Sequence, residues 1–198
     1  MARLESHPPP DPLTMFRRWY REAKAAGAQQ PDAVALATAG DAGPSARMVL
    51  FKGLKDGCFL FYSNYGSRKG LDLARNQRAA IVFYWFPTDH QIRVSGSVCR
   101  LSRSESLGYF SSRPHGAQLS ALASRQSRVI ESRAVLEAAV AKLATKFPGA
   151  VPLPADWGGY ALKPRWLEFW EGRQDRLHDR LRYVRRQDGG WRLERLAP

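Results

Sequence analysis

The sequence predicts a mainly β domain with flanking helices, arranged as a barrel. Three observations carry that expectation. Five strand signals follow one another within residues 33–102, two of their four connections being short and glycine-containing. After a helical interval the chain returns to β patterning and ends in a hairpin whose turn is "QDGG" at 187–190. Strand–helix–strand alternation and a GxGxxG fingerprint are both absent, which argues against a parallel nucleotide-binding sheet. A chain of 198 residues suits one domain with a sizeable core. That domain is expected over 12–198, behind a disordered, proline-rich tail over 1–11.

The elements follow in order. "DPLTMFRRWYREAKAAG" reads as a helix: Asp11 is its candidate N-cap, Pro12 suits the first helical position and Gly27 closes it. Leu13, Phe16, Trp19 and Tyr20 form its apolar stripe. Strands are expected at 33–39, 46–54, 58–63, 79–86 and 90–102, with "GDAG" (40–43) and "KDG" (55–57) as hairpin turns. "AAIVFYWF" at 79–86 is apolar throughout, as a strand buried on both faces would be. A helix capped by Ser67 interrupts the run at 67–77, and two more are expected near 103–111 and 128–146. "GYALKPRWLEFWEG" is again a strand. "RLHDRLRY" at 176–183 reads as an extended segment, with Arg176, His178, Arg180 and Arg182 on one face and Leu177, Leu181 and Tyr183 on the other.

A net charge of +13 draws polyanions, phosphorylated ligands or acidic surfaces and says nothing about fold. Against nucleic acid, the cations are dispersed among buried-strand patterns and form no single stripe with exposed aromatics. Cys58 and Cys99 lie far apart and outside any CxxC spacing, so neither zinc nor a disulfide framework is indicated; both are expected to be buried and reduced. The first residues lack the apolar segment of a secretory signal, and the longest apolar run, eight residues ending at Pro87, is too short to span a membrane. A cytoplasmic protein without membrane or nucleic-acid partners is expected.

Chemistry-bearing side chains gather in five places. "RMVLFKG" (47–53) puts Arg47 and Lys52 on opposite faces of a strand, each among apolar residues, where a cation needs either solvent at a strand end or an anion. "YSNYGSRKG" (62–70) delivers a strand into a helix N-terminus bearing Ser67, Arg68 and Lys69. Free amides, the helix dipole and two cations meet there, as a phosphate monoester requires, although the Walker A spacing is missing. "HQIRVSG" (90–96) aligns Gln91, Arg93 and Ser95, either as a solvated face or with an amide for a heterocycle edge. "YFSSRP" and "SRQSR" supply Tyr109 and Arg113, spaced to share an anion, then Gln126 and Ser127, which also suit a helix cap. "EFWEGRQDRLHDR" (168–180) sets an aromatic beside a polar cluster. The four histidines are scattered without metal-ligand spacing, and no G-x-S-x-G elbow occurs. What recurs is a cation with a hydroxyl or amide, an inventory for holding anionic cofactors and substrates.

In this order, "RMVLFKG", "FYSNYGSRKG", "YFSSRP", "SRQSR", "WGGY", "EFW", "RLHDR" and the terminal "RLAP" resemble the pyridoxine (pyridoxamine) 5′-phosphate oxidase family, over nearly the whole chain from Asp11. The resemblance implies an FMN-binding split β-barrel, homodimeric, with both active sites at the subunit interface. FMN would be held by Arg47, Met48, Val49, Leu50, Lys52, Tyr62, Ser63, Arg68, Lys69, Gln91, Gln126, Ser127, Trp170 and Arg180. Of these, Arg68 and Lys69 would take its phosphate. Lys52, Tyr109 and Arg113 would meet the substrate phosphate, and Arg176 and His178 would face the pyridine ring as catalytic residues. The implied reaction oxidises C4′ of pyridoxine or pyridoxamine 5′-phosphate to the aldehyde of pyridoxal 5′-phosphate, with O2 as acceptor and H2O2 as by-product. Three positions depart from the pattern: Ala117 replaces a serine of the substrate-phosphate clamp, Leu122 a frequent tryptophan, and His90 a common arginine. Two other readings stay open: a diverged flavin oxidase of the phenazine-pathway type, and a non-catalytic binder of FMN or pyridoxal phosphate.

Overall fold

Short turns set the registers of the sheet. Two residues join β1 (Ala33–Gly40) to β2 (Gly43–Leu50), and Gly43 takes φ +87° in the bend. Asp56 and Gly57, both at positive φ, join β3 (Leu54–Lys55) to β4 (Cys58–Asn64), the pairing a type I′ hairpin turn needs. The structure is a computed structural model that describes residues 7–198. β5 (Arg78–Trp85) and β6 (His90–Arg100) follow α2 (Arg68–Arg75), and β7 (Trp157–Glu171) comes after three further helices. Hydrogen-bonded order is β2-β1-β5-β6-β7-β4-β3, antiparallel throughout. The amide of Lys52 donates to the Leu60 carbonyl at 2.7 Å and the Leu60 amide to that of Gly53 at 3.0 Å, so the continuation of β2 closes the barrel onto β4.

The barrel splits along β7. Its first part, from Trp157 to Leu162, pairs with β4; its last part, from Trp166 to Glu171, pairs with β8 (Asp179–Arg185), which pairs with β9 (Trp191–Arg195). Between them lies a bulge at Ser95/Gly96, where a Cβ on Gly96 would sit 1.9 Å from the Lys163 carbonyl oxygen, so only glycine fits. α1 (Pro12–Ala25) begins at the expected cap, Asp11 accepting from the Leu13 amide at 3.1 Å, and plugs the barrel. Phe16 meets Phe51, Phe59 and Phe83 edge-on at centroid distances of 5.4, 4.9 and 5.1 Å. A smaller core of Phe110, Leu119, Val151 and Trp157 seats α3 (Arg103–Ser112) and α4 (His115–Ala123) against the barrel.

Several expectations are corrected. α4 is an extra helix that restarts directly after Pro114, which occupies its N-cap. α5 spans Arg133–Lys146 and not 128–146: Val129 is fully exposed, so the start of the expected helix has no apolar face to bury, and Gln126 and Ser127 cap nothing. Cys99 is exposed and Cys58 half-buried, because both lie outside the core on β6 and β4. The expected tail over 1–11 lies in part, residues 1–6, outside the described residues; of the rest, the Pro9 carbonyl accepts from the Tyr183 hydroxyl at 2.9 Å.

His90 is buried, stacked on Trp19 at 3.8 Å, and its Nδ1 has no hydrogen-bond partner among the described residues. Burial pushes the imidazole down to about 4; Asp89 opposes the shift and Arg173 and Arg18 add to it. Glu171, 4.0 Å away, is pushed up by its own burial. Between about pH 4 and 6.5 the unfolded chain therefore binds the proton that the folded imidazole refuses. Stability at this residue is complete above pH 6.5 and falls on acidification by up to ~3 kcal/mol. Thermal unfolding of His90→Phe, which keeps the stacking, is expected to depend less on pH over this range than that of the unaltered protein; equal slopes would contradict the assignment.

Candidate functional site

β4 ends by delivering Ser63 and Asn64 to the start of α2. Asn64 accepts from the Gly66 amide at 2.7 Å and donates to Asp156 at 2.9 Å, which sets the turn. Ser67 caps the helix, and Gly70 permits its close approach, since a Cβ there would lie 2.2 Å from the Tyr65 carbonyl oxygen. Lys69 folds back and is only 7% exposed. Its ammonium donates to Ser63 Oγ at 3.0 Å, Ser67 Oγ at 3.1 Å and Gln126 Oε1 at 2.8 Å. Among the described residues no carboxylate forms an ion pair with it. Burial, and then Arg47, lower its pKa to about 8. A buried cation held only by neutral acceptors is a seat for an anion.

Arg47 forms a second side of this seat. Its Nη1 donates to the Leu36 carbonyl (3.2 Å) and Thr38 Oγ1 (2.7 Å), its Nη2 to Ser45 Oγ (2.6 Å). The strand position thus finds protein partners on β1, the neighbour in register. Met48 and Leu50 project the other way and stay 63% and 48% exposed.

A wall from α3 and α4 faces these groups. Tyr62 stacks on Tyr109 at 3.9 Å, with Trp157 next in the stack and Lys52 5.8 Å from the Tyr109 ring centre. Arg113 lies 5.0 Å from the Trp157 ring centre; its Nη1 is buried without a hydrogen-bond partner among the described residues, and burial lowers its pKa. These groups line one cavity of about 850 Å³, which also takes in Val49, Gln126, Ser127 and Ala117. Two separate cationic regions therefore face one space.

The remaining predicted residues lie elsewhere. Gln91, Trp170 and Arg180 are opposite one another across β6, β7 and β8, on the face away from the core residues Ile92, Phe169 and Leu181. Tyr84, 53% exposed, continues the row. Arg180 donates to Glu168 Oε1 through Nε (3.0 Å) and Nη2 (2.7 Å), and Arg93 to Oε2 (3.1 Å). The His178 ring lies 4.7 Å from that of Trp170, and its Nδ1 accepts from the Arg173 amide. β8 begins only at Asp179, so the extended reading holds for Arg180 and Arg182 and not for Arg176 and His178. Those two sit on a 3₁₀ turn and its exit, with Asp175 and Arg176 at positive φ and Leu177 72% exposed. None of Gln91, Trp170, Arg176, His178 and Arg180 lines the cavity. Nor does Arg68, whose Nε is bound to Asp72 at 2.9 Å. Sequence reasoning missed Asp72 and Glu168, the buried carboxylates that hold these arginines; Asp72, four residues after Arg68 on a helix, had a legible signal.

Residues 20–147 match the family described as pyridoxamine 5′-phosphate oxidase, and residues 157–198 match the pyridoxine 5′-phosphate oxidase C-terminal dimerisation region. The chain belongs to the pyridoxamine 5′-phosphate oxidase family. That family binds FMN. The pyridoxine/pyridoxamine 5′-phosphate oxidase of Salinibacter ruber is 52% identical, aligning 100% of this chain with 95% of its own, and that of Cupriavidus metallidurans is 48% identical over 100% and 93%. Among solved structures, PhzG of Burkholderia lata, in complex with tetrahydrophenazine-1-carboxylic acid, superposes with a TM-score of 0.94 at 35% identity, covering 100% of this chain and 98% of its own. A related FMN-binding protein of Nostoc punctiforme shares the fold at TM-score 0.72 and 18% identity, over 100% and 98% of the two chains. In this oxidase-family chain no helix among the described residues is long and apolar enough to cross a membrane, and no cluster of three potential metal ligands occurs among them.

Proposed function

We propose that the chain is an FMN-dependent oxidase of pyridoxine and pyridoxamine 5′-phosphates, forming pyridoxal 5′-phosphate with O2 as acceptor and H2O2 as by-product. The observation that carries this reading is the pairing of two anion seats in one cavity. One surrounds Lys69 and suits the cofactor phosphate; the other surrounds Arg113 and suits a phosphorylated substrate. FMN fits the donor set, because the buried ammonium of Lys69 and the α2 amides lack an anion that the chain itself supplies. Bound there, FMN would supply the hydride acceptor for C4′ oxidation and the route of the electron pair to O2.

The protein's part is positioning. Lys69, with Arg47 and Arg68 beside it, would hold the cofactor phosphate, and Ser63 and Gln126 orient the ammonium. Lys52, Tyr109 and Arg113 would grip the substrate phosphate, with the Tyr62–Tyr109–Trp157 stack as a stiff wall. Ala117 lines this region with a methyl group where the family pattern has a hydroxyl, which leaves Arg113 the larger share of the grip. Gln91, Trp170, Arg176, His178 and Arg180 would complete the site from the partner subunit of a homodimer. The family's dimerisation region supports this, as do exposed apolar side chains beside both groups: Met48 and Leu50 at the cavity, Tyr84 and Leu177 at the outer row.

A second reading, an oxidase of the PhzG type, is favoured by the structural likeness and by Ala117. The phosphate seat at Arg113 weighs against it. Purified protein should carry flavin absorbance and turn over pyridoxine 5′-phosphate with release of H2O2, but not unphosphorylated pyridoxine. Flavin without turnover of either phosphate ester would sink the first reading and leave the second.

The depressed pKa of Lys69 gives this reading a pH signature. Apoprotein affinity for FMN should be level between about pH 7, where the phosphate monoester is a dianion, and about pH 8, and decline above it, as the ammonium loses the proton that an anion needs. Lys69→Arg, charged throughout, should flatten the decline; fluorescence titration across this range checks it.

A further inference from the structure

We propose that Asp72 is a positioning residue, fixing Arg47 and Arg68 in the orientation that the cofactor phosphate requires; this rests on the flavin reading above. Asp72 is only 4% exposed and joins three elements. Its Oδ2 accepts from Thr38 Oγ1 of β1 at 2.7 Å and lies 3.8 Å from Arg47 Nη2 of β2. Its Oδ1 accepts from Arg68 Nε, in the first turn of α2, at 2.9 Å. Thr38 completes a relay, since its hydroxyl oxygen also accepts from Arg47 Nη1 at 2.7 Å. Gly40 leaves the space: a Cβ there would lie 2.4 Å from Asp72 Oδ1. One carboxylate thus sets two guanidinium groups that stand on different elements and would repel each other unpartnered.

The sign of the effect separates positioning from charge. A fixed negative charge near an anion seat repels the anion, so charge alone predicts that Asp72→Asn tightens FMN. Positioning predicts the reverse, and only for a flavin that carries the phosphate. Full-length protein stripped of flavin is titrated with FMN and with riboflavin, following flavin fluorescence. The unaltered protein should prefer FMN. Asp72→Asn should lose about ten-fold or more in FMN affinity and change riboflavin affinity by less than about two-fold. Thr38→Val should shift FMN in the same direction, and Thr38→Ser, which keeps the hydroxyl, should restore it.

Equal losses for both flavins would reduce Asp72 to a fold-stabilising contact and overturn the proposal, as would unchanged or tighter FMN binding. An unaltered protein that treats both flavins alike would show the phosphate seat itself to be wrong, and the proposal falls with it. Should Asp72→Asn fail to fold by circular dichroism, the Thr38→Val and Thr38→Ser pair decides.

Discussion

Arg113→Met is expected to raise KM for pyridoxine 5′-phosphate by at least roughly 100-fold while leaving FMN affinity within about two-fold, because two charge-assisted hydrogen bonds contribute about 1.5–3 kcal/mol each. Methionine keeps the packing of the arginine stem against Trp157 and Phe110 and removes only the charged end. Stability should move the other way. In the free protein the side chain is half-buried, with Nη1 fully buried and unpartnered among the described residues, and burial lowers its pKa, so its charge opposes folding. The variant should melt no lower than the unaltered protein, and higher if removing the charge outweighs the lost contacts. Steady-state kinetics and a thermal melt read the two effects separately. A rise in KM accompanied by a fall in melting temperature would mean that Arg113 is a structural residue.

Arg176→Ala should lower kcat/KM by roughly 100-fold with FMN binding intact, whereas Lys69→Ala should do the reverse and abolish tight FMN binding. Arg176 is exposed, sits at φ +61° and follows another residue at positive φ, Asp175. A non-glycine residue held there costs about 1 kcal/mol or more. Trimming its side chain should leave the melt unchanged. Lys69 is the opposite case, buried among Ser63, Ser67 and Gln126 at the proposed cofactor seat. Equal effects of both substitutions on both properties would show the roles to be misassigned.

Much of this was legible in the sequence. Aspartate–glycine pairs announced the turns at 56–57 and 188–189, and Asp11 and Ser67 announced two helix starts, because each acts through its own local geometry. The capped start of α2 beside a buried Lys69, on which the proposed anion seat rests, was legible for the same reason: cap, helix start and cations are contiguous. What escaped depends on contacts distant in sequence. Asp72 and Glu168 matter because β1, β2 and β8 carry Thr38, Arg47 and Arg180 to them. Alternation in "RLHDRLRY" held from Asp179 onward and failed before it, where positive φ at Asp175 and Arg176 breaks the period without a glycine to signal it. The helix over 115–123 was not expected; Pro114 occupies its N-cap position, without a capping side chain to signal a start.

The central claim is that the cavity of one protomer and the Arg176–His178 turn of its partner form one active site. Mixing Arg113→Met and Arg176→Ala chains, each impaired by roughly 100-fold at subsaturating substrate, tests it directly. In a mixed dimer, one site then carries both defects and the other carries none. Random reassociation should restore about a quarter of the unaltered activity, since half of the dimers are mixed and each has one intact site. If both groups served a site within a single chain, every site would keep one defect, and the mixture would stay as inactive as its parents.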